Sequence, residues 1–549
     1  MSRTTPAGTP LGDLFHLYDT TLRDGAQREG ISYSVADKLT IARLLDALGV
    51  GFIEGGWPGA LPKDTEFYTR AAAGELELAH AALVAFGSTR RAGLVAAEDP
   101  QVQALLAAQA PVITLVAKSD RRHIERALRV DVAEACAMVR DTVALLVAEG
   151  RRVFLDAEHF FDGYAHDADC ALRVLESAVT AGADVVVLCD TNGGQLPLGL
   201  AETVAEVVAR TGFRVGIHCQ DDTACAVANS VAAVQAGASH VQCTANGYGE
   251  RTGNADLFAV IGNLATKLGM AVLPPDRMAE LTRTAHALAE IANLAPDTHQ
   301  AYVGRSAFAH KAGLHASAIK VDPELYNHLD PAVVGNAQRV LVTEMAGRAS
   351  VELKGVELGL DLVGRAAEVG AVTRRVKELE SQGWSFEAAD ASFELLVRQE
   401  VDDMPPAPPF RLESYRVVVD HQADGDVVAQ ATVKVHVAGQ RVIATAEGNG
   451  PVNALDGALR QALGGHLPWL GAVELSDYKV RILPGAHGTD AVTRVLVDSS
   501  DGAGCWTTVG VHGNVVEASW LALVDAMTYA ALRHAPAAAS AGRNGVGGP

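Results

Sequence analysis

Short β-rich runs recur through the first half of this 549-residue chain, most of them followed by an Ala- and Leu-rich helical pattern. Several runs are apolar on successive residues, which is typical of strands that are covered on both faces. Eight strand–helix units in about 250 residues predict an α/β fold of the TIM (β/α)8-barrel type, with a doubly wound open sheet as the structural alternative. The runs lie at 16–24, 50–58, 81–88, 111–118, 151–160, 183–194, 213–222 and 240–251.

The rest of the chain changes character twice, which predicts further domains. We expect a catalytic barrel over 1–275, a mostly helical linker or lid region over 276–404, and a C-terminal α+β domain over 411–534. The proline-rich segment DDMPPAPPF at 402–410 predicts the boundary before the last domain. The Ala-, Gly- and Ser-rich tail 535–549 is predicted to be disordered.

The C-terminal domain has the pattern strand–strand–strand–helix twice over. Its two predicted helices match at a fixed offset of 64 residues. The matching pairs are Val452 and Val516, Ala454 and Ala518, Ala458 and Ala522, and Leu459 and Leu523. We interpret this as an internal duplication of one module, while chance matching in an Ala-rich chain is the alternative.

Charge and composition restrict the class of protein. Hydrophobic residues make up 49% and charged residues 20%, as in folded globular proteins. A formal net charge of -21 argues against nucleic acid or an anionic membrane as partner, since both require a positive surface. The N-terminal residues contain no apolar run of signal-peptide length, and the seven cysteines form no CxxC pair. We therefore expect a cytoplasmic multidomain protein.

Polar, ionisable and ligand-type side chains lie at the C-terminal ends of five of the predicted strands, where a TIM barrel carries its chemistry. Asp24, His218 and Asn246 offer oxygen and nitrogen ligands for a divalent cation that keeps open positions for substrate. Arg23 next to them can stabilise negative charge that develops on an oxygen. The full set is Arg23, Asp24, Glu158, His159, Asp190, Thr191, Asn192, His218 and Asn246.

Each of these residues also has a purely structural interpretation. Asp24 can pair with the adjacent arginine, His218 can be a satisfied core histidine, and Arg23 can form a surface salt bridge. The glycine-rich run NGYGERTGN at 246–254 does not fit GxGxxG and follows the last strand rather than the first, so dinucleotide binding is not expected. The sequence also contains no P-loop and no GxSxG motif.

Eleven segments spread over residues 16–530 carry a resemblance to a known family. The chain closely resembles the citramalate synthase branch of the 2-isopropylmalate/homocitrate synthase family, the DRE-TIM metallolyases. The segments are LYDTTLRDGAQ, FIEGGWPG, AFGSTRR, DAEHFFDGY, CDTNGG, AVANS, NGYGERTGN, HQAYVGRSAFAHKAGLHASA, EGNGPVNALDGAL, GTDAVTRVL and GVHGNVVEASW. GGWPG, DAEHFFDGY and AYVGRSAFAHK indicate the citramalate branch.

The resemblance implies roles for individual residues. Asp24, His218 and Asn246 would bind Mg²⁺ or Mn²⁺ in preference to Zn²⁺, and Arg23 would stabilise the ketone oxygen as it becomes an alkoxide. Thr191 would hydrogen-bond the substrate carboxylate. Two further matches are Gln27, in the substrate-binding segment, and Glu158, the active-site glutamate of the family.

The resemblance also implies partners. His315 and Tyr326 match residues of the helical region that a partner subunit places over the barrel mouth, so a homodimer is expected. The domain at 411–534 would bind an amino-acid inhibitor, isoleucine. The basic segment 118–126 either contacts the phosphates of CoA or forms a solvated loop.

One departure from the family pattern affects the expected metal site. The family has His-x-His-Asn-Asp on the seventh strand, whereas this chain has HCQDD. Gln220 therefore stands in place of the second metal-binding histidine, and Asp221 in place of asparagine.

The implied activity is an acyl transfer. Acetyl-CoA loses a methyl proton, its enolate attacks the ketone of pyruvate, and water cleaves the thioester to give (R)-citramalate and CoA, on a route to 2-oxobutanoate and isoleucine. Two alternatives remain open. One is a sister synthase of the 2-isopropylmalate, homocitrate or phosphonomethylmalate type that uses another keto acid. The other is a weakly catalytic relative whose main role is amino-acid sensing.

Overall fold

The chain forms two compact units in the computed structural model. The first contains the residues up to Phe308 together with Leu329–Gln338, and the second contains Ala309–His328 and the chain from Arg339 onward. The residues that the structure describes are 14–402, 406–421, 423, 425–483 and 491–534. The tail predicted to be disordered, 535–549, lies outside them.

The first unit is a closed barrel of eight parallel strands in chain order, so the TIM-barrel prediction is confirmed and the open sheet is wrong. The strands are β1 His16–Asp19, β2 Phe52–Gly56, β3 Ala82–Ser88, β4 Val112–Lys118, β5 Arg152–Glu158, β6 Val185–Asp190, β7 Val215–Cys219 and β8 His240–Cys243. The helices that follow them are α1 Val35–Leu48, α2 Pro62–Arg70, α3 Pro100–Ala107, α4 Val132–Ala148, α5 Ala168–Thr180, α6 Pro197–Thr211, α7 Ala226–Gln235 and α8 Leu257–Thr266. A further helix, α9 Leu281–Ile291, also belongs to this unit.

Local sequence explains why these elements form. Every residue of β6 is buried, because its run VVVLCD faces the barrel interior on one side and helices on the other. Helix α1 begins with a capping box in which Ser34 and Asp37 satisfy each other's backbone amides. It ends at Gly49, whose φ of 98° is the left-handed conformation that a helix C-terminus favours.

Aromatic rings fill the N-terminal half of the barrel. Phe52 and Phe154 lie 5.3 Å apart between ring centroids, and His240 lies 5.2 Å from Phe154. Tyr18 lies above them and is fully buried. Because these side chains fill the N-terminal half of the barrel, only the C-terminal half leaves room for a ligand.

A strained turn after β2 presents Trp57 at this end of the barrel. Gly56 has a φ of 141°, and a Cβ there would collide with the carboxyl group of Asp64. That carboxylate accepts a hydrogen bond from the Trp57 backbone N–H at 2.8 Å and forms a buried ion pair with Lys38. The turn is therefore held from two helices, α1 and α2.

The second unit contains a helical part and two strand–helix modules. The helices are α10 Gly313–Val321, α11 Arg348–Glu357, α12 Ala366–Ser381 and α13 Asp390–Val401, and a short parallel pair is formed by β9 Ala309–His310 and β10 Arg339–Val340. The first module is β11 Arg411–His421, β12 Val427–Val437, β13 Gln440–Gly448 and α14 Pro451–Leu463. The second is β14 Glu474–Ile482, β15 Thr493–Ser500, β16 Cys505–His512 and α15 Val515–His534. Both sheets are antiparallel with the middle strand second in chain order, so the predicted duplication is confirmed.

Packing in the second unit crosses the proline-rich boundary. The Ser392 hydroxyl, on α13, donates to Asp525 on α15 at 2.7 Å and accepts from the Val509 N–H on β16 at 3.0 Å. Val509 also shares a hydrophobic core with Phe393 of α13. The segment 402–410 thus separates two compositions, while the helices before it and the second module after it pack as one body; the predicted boundaries at 275, 404 and 411 stay predictions.

Helix α15 is long and apolar enough to span a membrane by length and composition alone. Half of its apolar window is buried inside the protein. Trp520 and Met527 belong to the core of the first module, and Leu523 packs with Val495 of the second. These contacts are typical of a core helix between two sheets.

Candidate active site

A cavity of about 660 Å³ opens at the C-terminal end of the barrel. It brings together seven residues that the sequence singled out, from the ends of four strands, β1, β5, β6 and β7. These are Arg23, Asp24, Gln27, Glu158, Thr191, His218 and Gln220. Trp57, Phe86, Lys118, Asp156 and Arg251 also line it, so the wall combines aromatic surface with both signs of charge.

Arg23 is fixed in this cavity by three neighbours. Its Nε donates to Glu54 Oε1 at 2.6 Å, and its guanidinium carbon lies 3.8 Å above the centre of the Phe86 ring. Asp24 lies 3.7 Å from a terminal nitrogen. Burial alone would lower the pKa of Arg23, but Glu54, Asp24 and Asp156 raise it well above its ordinary value. The group is therefore a permanent, oriented cation.

Glu54 is a residue that sequence reasoning missed. It is fully buried on β2 and accepts hydrogen bonds from Tyr18, from Thr20 Oγ1 at 2.6 Å and from Arg23. Burial first, and then the charge of Glu54, raise the pKa of Asp156 to about 8. The signal for Glu54 was a carboxylate inside an otherwise apolar run, FIEGG.

Asp24, His218 and Gln220 lie together as candidate metal ligands. Asp24 Oδ2 is 3.3 Å from His218 Nε2, and Gln220 Nε2 is 3.5 Å from each of these two atoms. Gln220 Oε1 is buried without a hydrogen-bond partner in the described structure. Rotation of the amide would turn this oxygen toward the other two ligands, so the three side chains fit a divalent cation with mixed oxygen and nitrogen ligands.

Side-chain amide oxygens would have to supply the remaining protein ligands of such a site. Within residues 14–402 and the described C-terminal ranges, no group of three or more His, Cys, Asp or Glu side chains is arranged to hold a metal ion. One aspartate and one histidine with neutral oxygens and water suit magnesium or manganese better than zinc.

Asn246 lies elsewhere than predicted. Its backbone is left-handed, with a φ of 54°, and it lines a second cavity of about 410 Å³. Its Nδ2 donates to the Ala285 carbonyl at 3.0 Å, and its Oδ1 accepts from Gln300 at 3.0 Å. The side chain thus pins the loop after β8 to helix α9. Its role as a metal ligand stays a prediction that this geometry does not favour.

Asn254, at the end of the same NGYGERTGN run, lines the same second cavity but adjoins Gln220. Its backbone pairs with that of Gln220 in an isolated bridge. Its side chain is buried, and Oδ1 has no partner among the described atoms. A buried amide oxygen beside Gln220 is a candidate ligand, and two asparagines in one run gave the sequence no means to choose between them.

Glu158 and Thr191 lie on neighbouring strand ends. Glu158 forms an ion pair with Lys118 at the end of β4. Thr191 Oγ1 accepts from the His159 N–H at 2.9 Å, and the Thr191 carbonyl accepts from Arg251 at 2.8 Å. The hydroxyl proton of Thr191 is therefore available to a ligand in the cavity.

His315 and Tyr326 belong to the second unit. Their rings stack at 4.1 Å, and His310 meets both edge-on while its Nε2 lies 2.8 Å from Asn327 Oδ1. Tyr326 is 40% exposed, and Leu314 beside this cluster is 75% exposed. The ring pair is partly open to solvent, and its predicted place over a barrel mouth stays a prediction.

Comparisons with known proteins cover almost the whole chain. Residues 15–294 match the HMGL-like family, 302–383 the homocitrate synthase post-HMGL domain-like family, and 387–531 the LeuA allosteric (dimerisation) domain. The first two ranges cover the barrel and the helical region, and the third begins inside the predicted helical region and includes both C-terminal modules.

Full-length relatives give the narrower assignment. The (R)-citramalate synthase of Streptomyces coelicolor is 62% identical over 96% of this chain and 98% of its own. Those of Synechocystis and Aquifex aeolicus are 49% and 45% identical, over 93% and 94% of this chain and 95% and 98% of their own. On this identity over nearly its full length, the chain belongs to the (R)-citramalate synthase family of acyltransferase-type enzymes.

Proposed function

We propose that this chain condenses acetyl-CoA with pyruvate to give (R)-citramalate and CoA in the barrel cavity. The observation that carries the proposal is the meeting of Arg23 with the Asp24–His218–Gln220 cluster in one cavity of a chain with this family membership. The guanidinium group of Arg23 beside this cluster of candidate metal ligands is suited to an α-keto acid, which carries a carboxylate and a ketone oxygen on adjacent carbons.

The residues divide the work as follows. A divalent cation held by Asp24, His218 and amide oxygens would supply polarisation of the ketone. Arg23 donates to the ketone oxygen as it gains negative charge, and the Thr191 hydroxyl donates to the substrate carboxylate. Glu158, at the mouth, is the carboxylate we assign to proton transfer.

The reaction forms one carbon–carbon bond and breaks one thioester. A base takes a proton from the acetyl methyl group, the resulting carbanion attacks the keto carbon of pyruvate, and the alkoxide that forms takes up a proton to give the tertiary alcohol. Water then adds to the thioester carbonyl, and CoA leaves as the thiol. Hydrolysis makes the overall reaction favourable.

The basic segment 118–126 offers few free cations to the phosphates of CoA. Arg121 pairs with Asp167 at 2.6 Å, and Arg122 pairs with Asp120. Lys118 is engaged by Glu158. We therefore favour a solvated loop for this segment over a phosphate site.

A thiol-release assay tests the proposed function. Acetyl-CoA is supplied with pyruvate, 2-oxoisovalerate, 2-oxoglutarate or phosphonopyruvate in the presence of magnesium or manganese. Of the four keto acids, we expect only pyruvate to give CoA release above the hydrolysis background. Release with one of the larger acids would establish a sister synthase instead, and release with none would indicate a sensing relative.

We further propose a cytoplasmic homodimer. The match to the LeuA allosteric (dimerisation) domain supports dimerisation. The seven cysteines are all unpaired thiols, as in proteins of a reducing compartment. In the dimer, His315 and Tyr326 would act from the partner subunit.

An amino-acid effector is proposed for a cavity of about 830 Å³ between the two C-terminal modules. Val452, Leu475 and Tyr478 supply its apolar wall. Asp456 contributes an Oδ1 that is buried without a partner among the described residues, while its Oδ2 accepts from Arg460 at 2.7 Å. A free carboxylate oxygen beside aliphatic side chains suits the ammonium group and side chain of isoleucine.

Asp456→Ala is therefore expected to abolish isoleucine inhibition at concentrations that halve the parent's activity, while CoA release without effector stays normal. Asp477→Asn removes an exposed charge on β14 outside the cavity and serves as the control. Inhibition curves with isoleucine for the parent, Asp456→Ala and Asp477→Asn measure this effect. Unchanged inhibition of Asp456→Ala would contradict the assignment of this cavity. Point variants are preferred to a cut in 402–410, because the core of the second unit crosses that segment.

A further inference from the structure

A buried chain of hydrogen bonds leads from the candidate cation site into the wall of the barrel. His218 Nδ1, on β7, lies 2.8 Å from Gln242 Oε1 on β8. The other end of the same amide, Nε2, donates to Asp156 Oδ1 on β5 at 2.8 Å. The three residues are 7%, 1% and 4% exposed respectively, so water does not compete for these bonds.

The side-chain amide of Gln242 determines which atom donates in each of these two hydrogen bonds. A glutamine side chain has one donor end and one acceptor end. Because Nε2 donates to Asp156, the oxygen faces His218, and Nδ1 must carry the ring proton. In the neutral imidazole, Nε2 then keeps its lone pair, and this is the atom that lies 3.3 Å from Asp24 Oδ2.

We infer that Gln242 is a positioning residue, which holds His218 in the Nδ1–H tautomer and keeps the Nε2 lone pair directed at the cation site. Asp156 acts one step further out by fixing the orientation of the amide. The inference rests on the proposed function, since that function makes His218 a ligand. Partners that accept the second ring N–H of a metal-binding histidine set both its tautomer and its ring orientation.

Gln242 carries no other explanation in the structure. It does not line the cavity, so it cannot touch substrate there. Its polar atoms are used by His218 and Asp156 alone among the bonds the structure describes. An apolar side chain would suit a buried barrel position equally well on packing grounds.

The tautomer can be measured directly on the full chain without metal. Labelling with [15N]histidine separates protonated from unprotonated ring nitrogens by chemical shift, and His218→Ala identifies the His218 signals. We expect Nδ1 protonated and Nε2 unprotonated in the parent protein and in Gln242→Glu, whose carboxylate still accepts from Nδ1–H. In Gln242→Leu the two tautomers should mix.

Metal binding gives an independent readout. We expect Gln242→Leu to weaken Mn²⁺ affinity by about 10- to 100-fold, the usual effect of losing such a partner. Gln242→Glu should stay within about threefold of the parent, although a new buried charge is the harsher change for folding. Thr114→Val, which removes a buried hydroxyl bonded to Tyr18 in the same barrel, is the matched control. Electron spin echo modulation from imidazole nitrogen on bound Mn²⁺ should be lost only in the leucine variant.

Three outcomes are decisive. A parent His218 protonated at Nε2, or equal Mn²⁺ affinity and nitrogen modulation in Gln242→Leu and the parent, would overturn the inference. Failure of the parent to bind Mn²⁺ would instead refute the cation site of the proposed function, and the histidine spectra would still decide the role of Gln242. The parent spectrum does not depend on whether any variant folds.

Discussion

Replacing Arg23 by lysine is expected to lower kcat by about 100-fold or more while the protein still folds, in line with the loss of an oriented donor to a developing oxyanion. Lysine keeps the charge, and its ammonium can still pair with Glu54. It loses the planar fork, the Nε donor that fixes the group, and the stacking on Phe86 at 3.8 Å. A point charge on a flexible stem cannot hold the geometry that the guanidinium group has in the cavity.

CoA release at saturating pyruvate and acetyl-CoA measures this effect, and thermal unfolding checks the fold. Arg28→Lys is the matched control, because Arg28 also stacks on an aromatic ring, that of Tyr248 at 5.6 Å, but lines the second cavity. We expect the control to keep near-normal kcat. Near-normal kcat in Arg23→Lys as well would remove Arg23 from the mechanism.

Replacing Gln220 by histidine is expected to raise the affinity for zinc by about tenfold, or ~1.4 kcal/mol, and to raise the affinity for manganese less. Imidazole nitrogen is the donor from which zinc gains most, whereas manganese accepts carboxamide oxygen and water. The position allows such a ligand, because Gln220 Nε2 already lies 3.5 Å from Asp24 Oδ2 and from His218 Nε2.

Competition with a metal indicator measures both affinities. Asp221→Asn restores the other residue that departs from the family pattern and is the control. Its carboxylate accepts from the Ala226 N–H at 2.8 Å near the start of α7, and we expect no change in the zinc-to-manganese ratio. Equal gains for both metals in Gln220→His, or none, would place Gln220 outside the coordination shell.

The barrel was predictable from sequence because buried parallel strands have a recognisable pattern of consecutive apolar residues. Several runs, such as VVVLCD, are apolar on successive residues, as strands of a sheet covered on both faces are. The strand-end rule then placed Arg23, Asp24 and His218 in one cavity. Arg23 and Asp24 follow β1 closely and His218 lies within β7, so the strands fix where these side chains go.

The loop after β8 shows where this reasoning fails. Asn246 and Asn254 stand in a run with positive φ at Asn246, Gly247, Gly249, Arg251 and Gly253. Such a backbone reverses direction over a few residues, so distance from the strand end no longer indicates which side chain faces the cavity. Glu54 was missed for a different reason, since it lies within a strand and its partners Tyr18, Thr20 and Arg23 come from β1 and the loop after it.

The hydroxyl of Ser392 has a consequence for how this protein can change over evolution. It joins helix α13 to strand β16 and helix α15 through two hydrogen bonds. These bonds cross the segment 402–410, whose prolines are typical of a linker between independent domains. A graft that replaced everything after residue 410 with a regulatory domain from elsewhere would leave this hydroxyl and the Phe393 core facing a foreign surface. Recombination at the proline-rich segment is therefore disfavoured, and changes in the C-terminal modules are expected to arise by substitution within them.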